Sequence, residues 1–231
     1  MFVNLTQQKP DWHSILNGPA TGEEMNRRER RSSKTRERLF RAAMTLFRDR
    51  GFHKTTVEDI TNAADVGKGT FFNYFPSKDH ILSVLAEVQT AKYGKAGELA
   101  RSENACDALR WLYHALPSEA ASSPKMVRSM FTVFLTSEAV RGFLTDGLRV
   151  ARLKLEIIFR EARECGEIPG HVDIRDLPYR FQQSLFGQMF LWTLMTPVPP
   201  LEPWLDEGFD FFWSSIVAPS SDGSKARGSK K

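Results

Sequence analysis

The chain has 231 residues, of which 41% are hydrophobic and 26% are charged, a composition typical of a soluble globular protein with one or two domains. No apolar run approaches the roughly 18 to 20 residues of a membrane span, and the amino terminus lacks the charged-then-apolar order of a secretion signal. Two distant cysteines, Cys106 and Cys165, make no disulfide framework, so we expect a cytoplasmic protein.

The net charge of +4 is modest, but the basic residues are unevenly distributed. Between Arg27 and Lys54 there are eleven Lys or Arg residues against three acidic ones. Such a concentration suits a polyanionic partner bound at one end of the molecule. A basic run is more often a solvated or disordered arm, so the nucleic-acid interpretation depends on the segment that follows it.

Residues 1–33 are interpreted as a flexible basic arm. The first 26 show no hydrophobic period. The basic stretch that follows, NRRERRSSKTR, has two interpretations: a solvated extension of the next helix, or an arm that lies on phosphates or enters a minor groove. The next segment, 35–50, has helical periodicity and ends at Gly51, a typical residue after a helix carboxyl end.

Residues 55–81 read as two short helices joined by a tight turn. Thr56 and Asp59 have the spacing of a capping box, which predicts a helix start. Asp65 stands where the chain needs a positive φ, and Gly67 is an acceptable N-cap for a second helix over 68–74. Together these features predict a helix-turn-helix.

Pro76 prevents the second helix from continuing, and Ser77 is predicted to cap a third helix that includes 80–99. The remaining helical patterns cover residues 105–116, 125–135, 139–165, 177–195 and 204–217. No β pattern competes with them, so the sequence predicts an all-α protein: an N-terminal three-helix domain with a helix-turn-helix and a C-terminal helical domain.

The helix-turn-helix resembles the DNA-binding domain of TetR-family transcriptional regulators over residues 34–91. The resemblance is carried by Thr56-Val57, Ile60, Ala64, Val66, Lys68-Gly69-Thr70-Phe71 and Tyr74-Phe75-Pro76-Ser77-Lys78. The chain departs from the family at Asp65, Gly67 and Phe72, where Gly, Ser and Tyr are usual. The resemblance implies a DNA-binding domain at 34–91 and a ligand-binding and dimerisation domain at 92–217, followed by a disordered basic tail at 218–231.

Within this arrangement the second helix is expected to enter the major groove of double-stranded DNA. Lys68 is placed to reach a guanine edge or a phosphate, Gly69 permits close approach, and Phe72 can contact a thymine methyl. Asn73 carries an amide suited to adenine. The residues that look like the family's phosphate contacts are Thr56, Thr70, Tyr74 and Lys78.

The C-terminal two thirds are rich in aromatic residues and methionine. These residues are either simply core or the lining of a pocket for an apolar or amphiphilic, uncharged small molecule. The pocket candidates are Trp111, Phe131, Phe134, Phe143 and Met189. The five histidines never pair at metal-ligand spacing, and no nucleophile motif appears, so no metal, cofactor or enzymatic activity is expected.

The last two helical segments, 177–195 and 204–217, are apolar on most of their circumference. Such helices must bury more than one side, which predicts a homodimer with Phe186, Phe190 and Phe212 in its interface. The favoured function is a repressor that binds a pseudo-palindromic operator as a dimer and is released by a small molecule. The alternatives are an activator of the same family, or a small-molecule-binding or scaffolding protein with a vestigial DNA module.

Overall fold

The computed structural model describes residues 27–118 and 123–218. Regular structure within these two ranges is entirely α-helical, as predicted. The helices are α1 (Arg27–Arg50), α2 (Val57–Ala63), α3 (Lys68–Phe72), α4 (His80–Ser102), α5 (Ala105–Ala115), α6 (Pro124–Thr136), α7 (Glu138–Glu164), α8 (Leu177–Trp192) and α9 (Leu201–Val217). The predicted arm up to residue 26 and the predicted tail from residue 219 lie outside the described ranges.

Helix α1 begins eight residues before the predicted helix start at residue 35. The stretch from Arg27 to Ser33 forms its first two turns, so this stretch is an extension of the helix. Arginine and glutamate are good helix formers, and Thr35 donates from its hydroxyl to the Arg31 carbonyl oxygen at 3.0 Å. Gly51 follows the helix at φ 88°, a left-handed conformation that glycine adopts without strain.

The amino-terminal core lies between α1, α2, α3 and the first half of α4. Its fully buried side chains include Leu39, Phe40, Phe47, Ile60, Phe71 and Ile81. Met126, Met130 and Val133 of α6 and Val140 of α7 belong to the same cluster. The helices that follow residue 91 therefore complete the core of the amino-terminal helices.

A second core joins the end of α4 to α5, α7, α8 and α9. Phe212 is 5% exposed in this core, and its ring lies 5.6 to 6.5 Å from the rings of Phe159, Phe181 and Phe209. The predicted interface role of Phe212 is thereby corrected, because its side chain is already used within one chain. Its neighbour Phe211 is 79% exposed instead.

Two local expectations around α3 and α4 also differ from the structure. Helix α3 ends at Phe72, two residues before the predicted end, and Asn73 is its C-cap. Helix α4 begins at His80 without a side-chain cap, and the Ser77 hydroxyl lies 2.9 Å from Nδ1 of His80. Ser77 is therefore part of the turn before α4 and not its N-cap.

Candidate nucleic-acid interface and internal cavity

The start of α2 is fixed by the predicted capping box. The Thr56 hydroxyl accepts from the Asp59 backbone N–H at 3.1 Å, and the Asp59 carboxylate accepts from the Thr56 N–H at 2.8 Å. The backbone and hydroxyl hydrogen bonds from Thr56 lower the pKa of the Asp59 carboxyl. Asp59 also pairs with Arg50 at 3.2 Å, which ties α2 to the end of α1.

The turn between α2 and α3 has the geometry that the sequence predicts. Asp65 adopts φ 50°, and Gly67 is the N-cap of α3 in an extended conformation. The Arg38 guanidinium of α1 donates to the carbonyl oxygens of Ala64 and Asp65. The Arg38 side chain therefore holds the backbone of the turn against α1.

Helix α3 divides its aromatic residues between the core and the surface. Phe71 is fully buried, whereas Phe72 is 49% exposed and packs edge-on against it, with 5.3 Å between ring centroids. Lys68, Gly69 and Asn73 are exposed. Thr70 and Tyr74 are half-buried. Six of the eight predicted DNA-contacting residues are thus grouped on or next to one short helix.

Lys78 is hydrogen-bonded within the chain. Its Nζ donates to the carbonyl oxygens of Phe52 at 2.7 Å and Thr55 at 2.9 Å. The same ammonium lies 4.3 Å from the centroid of the Phe52 ring, and burial lowers the pKa of Lys78. Lys78 thus holds the loop between α1 and α2 with two of its three N–H donors, which leaves one donor for a phosphate.

A face of α1 next to the helix-turn-helix is basic. Arg31, Lys34 and Arg38 follow one another at three- and four-residue spacing and are all exposed. Because Arg38 reaches the turn between α2 and α3, this face lies beside the start of α3. The sequence could not locate this face, since the spacing alone does not say which side of α1 meets α2.

Helix α6 also contacts the amino-terminal helices directly. The Phe52 backbone N–H donates to the Ser129 hydroxyl at 3.1 Å, and Lys125 Nζ donates to the Asp49 carbonyl oxygen at 3.2 Å. The sequence singled out α4 as the connection between the two predicted domains. The structure adds α6 as a second connection, which arises from contacts between residues more than 70 positions apart.

An internal cavity of about 170 Å³ lies between α4, α6, α7 and α8. This volume far exceeds the roughly 10–15 Å³ that one water needs, so the cavity has room for an organic molecule. Four of the five predicted pocket residues are on its wall: Phe131, Phe134, Phe143 and Met189. Trp111 is not, because it packs against the second core beneath the Lys95 ammonium, 5.2 Å from its ring.

Sequence reasoning missed several residues of the cavity wall. Phe186, predicted for the dimer interface, lines the cavity, with its ring centroid 6.3 Å from that of Phe131. Polar lining comes from Gln89, Thr90, Tyr93 and Gln182. Their helical periods matched a core as well as a cavity, so only the packing of α4, α6, α7 and α8 around the cavity distinguishes the two.

Apolar side chains remain exposed on α8, its following turn and α9. These are Tyr179, Phe190, Leu191, Leu194, Met195, Val198 and Phe211. Phe190, one of the predicted interface residues, is 46% exposed while one side of its ring packs against Phe131 at 5.4 Å. We call this set the α8–α9 apolar face.

Metal-binding clusters and membrane-spanning helices are both absent from the described residues. Within 27–118 and 123–218, no three His, Cys, Asp or Glu residues come together in a way that could hold a metal ion. None of the helices in these ranges combines the length and apolarity that a membrane crossing requires.

Comparison with known proteins identifies similar chains. The family model described as bacterial regulatory proteins, tetR family, matches residues 39–85. A curated regulator, the HTH-type transcriptional regulator TcmR of Streptomyces glaucescens, is 32% identical over 108 residues, 46% of this chain. The matched segment spans 45% of TcmR, less than half of that protein's length.

Solved structures share the fold over most of the chain. FadR of Thermus thermophilus, a TetR-family transcriptional repressor solved with lauroyl-CoA, has a TM-score of 0.58 at 25% identity and covers 82% of this chain and 99% of its own. FadR of Bacillus subtilis, solved with stearoyl-CoA, has a TM-score of 0.65 at 19% identity, with 78% and 98% covered. The family model, the curated relative and the fold agree with the capped helix-turn-helix described above. The chain therefore carries a helix-turn-helix segment that matches the tetR-family model, and it shares its fold over most of its length with TetR-family transcriptional regulators.

Proposed function

We propose that the protein is a dimeric DNA-binding repressor whose affinity for its operator falls when a small molecule occupies the internal cavity. The observation that carries this proposal is the short exposed helix α3 on a capped helix-turn-helix, beside the basic face of α1. A polyanion that contacted this surface would meet Lys68 and the basic face together. The similar fold of Thermus thermophilus FadR, a TetR-family transcriptional repressor, supports repression here.

The exposed residues of α3 suit base recognition. Lys68 can donate to a guanine edge, Phe72 can pack on a thymine methyl, and the Asn73 amide can pair with adenine. Gly69 leaves room for the helix to approach the groove. These four residues are proposed to set sequence preference.

Phosphate contacts are proposed for Thr70 and Tyr74, which are half-buried on and next to α3. The Thr56 hydroxyl already bonds the Asp59 carboxylate at 2.7 Å and the Asp59 N–H, so we assign Thr56 to holding α2 in position. Lys78 keeps its proposed phosphate contact through the third donor of its ammonium.

The dimer is proposed to form through the α8–α9 apolar face. A helix as short as α3 buries too little surface for tight binding, so a two-fold dimer on a pseudo-palindromic operator is the expected arrangement. Leu191, Leu194 and Phe211 are more than half exposed in one chain, which favours their burial by a second copy.

The cavity is proposed as the effector site. Apolar side chains dominate its wall, and the two FadR structures were solved with acyl-CoA esters, molecules with a long apolar part. Both α4 and α6 contribute to the wall and reach the amino-terminal helices. A coupling of about 1–3 kcal/mol between the two sites would weaken DNA binding by roughly 5 to 150-fold.

The test is retardation of the DNA upstream of the protein's own gene. We expect a retarded band that specific competitor removes, and at least a tenfold loss of affinity in Lys68→Ala. Lys95→Ala is the matched control, because Lys95 is an exposed lysine of α4 that stacks on Trp111, remote from α3. Equal affinity of wild type and Lys68→Ala would contradict the proposal.

Reporter transcription separates the alternatives. A repressor lowers expression from the bound promoter in the absence of effector, whereas an activator raises it. A protein with a vestigial DNA module would bind small molecules and retard no DNA at all.

A further inference from the structure

The polar side chains of the cavity wall are grouped at one place. Gln89, Thr90 and Tyr93 lie on neighbouring turns of α4, and Gln182 comes from α8. The rest of the wall is apolar, with four phenylalanines from α6, α7 and α8: Phe131, Phe134, Phe143 and Phe186. The cavity therefore has a hydrogen-bonding side and a large apolar remainder.

The hydrogen-bonding side is held in place by well-paired groups. Gln182 is 5% exposed; its Nε2 donates to the Leu148 carbonyl oxygen at 3.0 Å, and its Oε1 accepts from Arg152 at 3.1 Å. The Tyr93 hydroxyl is also hydrogen-bonded to Gln182, and burial raises the pKa of Tyr93. Tyr93 consequently stays a neutral phenol that can exchange hydrogen bonds with a bound molecule.

No ionisable acid or base other than Tyr93 lines the cavity within the described part of the chain. Arg152 and Lys154 lie behind the polar side, where Arg152 donates to Gln182 and Lys154 donates to the Thr90 carbonyl oxygen at 3.1 Å, and neither side chain lines the cavity. A carboxylate or phosphate group buried here would lose its water without gaining a direct ion pair, which is strongly unfavourable.

We propose that the cavity selects an uncharged molecule with an apolar body and one hydrogen-bonding group, such as a phenol, an alcohol or a ketone. That group pairs with the Tyr93 hydroxyl beside Gln182, while the apolar body packs against the four phenylalanines. Tyr93 is then the residue that determines specificity. This inference deepens the proposed function, since it rests on the cavity being the effector site.

Three probes of similar size separate the possible ligand classes at pH 7: 2-naphthol, naphthalene and 2-naphthoate. Binding to the full chain is measured by equilibrium dialysis. We expect 2-naphthol to bind at least tenfold more tightly than 2-naphthoate. In Tyr93→Phe the affinity for 2-naphthol falls about tenfold, as the loss of one buried hydrogen bond allows, while the affinity for naphthalene changes less than twofold.

Tyr113→Phe is the matched control. Tyr113 is a buried tyrosine of α5 whose hydroxyl lies 2.9 Å from the Ser184 hydroxyl and which does not line the cavity, so its loss of a hydroxyl leaves all three affinities unchanged. Circular dichroism verifies that each variant is folded. If Tyr93→Phe does not fold, the order of the three affinities in the wild-type protein decides the question.

Three outcomes overturn the inference: tighter binding of 2-naphthoate than of 2-naphthol, an equal loss of 2-naphthol and naphthalene affinity in Tyr93→Phe, or no binding of any probe at millimolar concentration. DNA retardation by the wild-type protein is measured separately and is unaffected by these outcomes. Conversely, the expected order of affinities without any DNA retardation would support the ligand class and remove the proposed function.

Discussion

Two side chains near α3 differ in what they can contribute to DNA binding. Tyr74 is half-buried just after α3, whereas Lys68 is exposed at the start of α3. A phosphate contact carries no sequence information, and a base contact does. The two residues therefore allow affinity and specificity to be separated.

Tyr74→Phe is expected to weaken binding to all DNA sequences by a similar factor of about 2 to 12, the range of one net hydrogen bond. Lys68→Ala is expected to change the order of preference among operator variants as well as the affinity. The measurement is a titration against a panel of single-base operator substitutions. A larger change of preference in Tyr74→Phe than in Lys68→Ala would reverse the assigned roles.

Asp59 gives a prediction for acid stability. Its pKa is lowered in the folded chain by the hydrogen bonds from Thr56, so its contribution to stability is present above the ordinary carboxyl pKa and is lost as the pH falls through the folded value. Asp59→Asn removes this contribution. We expect the variant to melt below the wild type at pH 7 and the difference to shrink at pH 3; a difference that grew on acidification would contradict the role of the carboxylate.

Residues of the helix-turn-helix could be assigned from sequence because their interactions are local. The Thr56–Asp59 capping box, the positive φ of Asp65 and the N-cap at Gly67 involve residues three or fewer positions apart. The sequence neighbourhood of Lys78, in contrast, does not point to its hydrogen bonds with the carbonyl groups of Phe52 and Thr55. Those partners lie more than 20 residues away and become visible only in the fold.

Among the helices, α6 has two different surfaces. One side carries Met130, Phe131 and Phe134 on the cavity wall, and Ser129 on the same helix accepts from the Phe52 N–H. The loop that contains Phe52 leads directly to the N-cap of α2. A change at the cavity that shifted α6 would thus reach the loop before α2 through the Ser129 hydrogen bond, beside the Lys125 contact and the shared core.

Ser129→Ala is expected to reduce the loss of DNA affinity that the effector causes by about threefold, with effector affinity in the absence of DNA unchanged within twofold. Thr132→Ala is the control, because the Thr132 hydroxyl bonds the Arg128 carbonyl oxygen of its own helix at 2.9 Å. Coupling is measured as the ratio of DNA affinities with and without effector. An unchanged ratio in Ser129→Ala would mean that this hydrogen bond does not transmit the signal.

Except at the start of α1, helix positions were predictable to within a few residues, but the packing partners of each helix were not. The periods of α5 to α9 located each helix, with the largest errors at the end of α8 and the start of α9, each three residues earlier than predicted. Which face of each helix meets the core, the cavity or the solvent depends on packing between distant segments. For this reason the sequence pattern predicts an interface role for Phe186 and Phe212, although Phe186 lines the cavity and Phe212 fills the core.

At the scale of the whole molecule, the α8–α9 apolar face predicts the oligomeric state. Phe211→Glu places a charge on this face and is expected to convert a dimer into a monomer at micromolar concentration, as measured by light scattering. Leu135→Glu is the control, since Leu135 is 77% exposed on α6, outside the face. A monomeric wild-type protein, or a Phe211→Glu dimer as stable as the wild type, would rule out this interface.

The shared core of α1 to α4 with α6 limits how the molecule can be recombined. Met126, Met130 and Val133 fill space among residues of the helix-turn-helix domain, so a fragment that ended after α4 would leave the apolar side of that core open to water. Chimeric regulators that exchange sensing halves at the end of α4 should therefore aggregate, while chimeras that keep these α6 side chains with their native α1 should remain monodisperse. The part of this protein that can be exchanged as a unit is therefore α1 to α4 together with the α6 residues that pack against them.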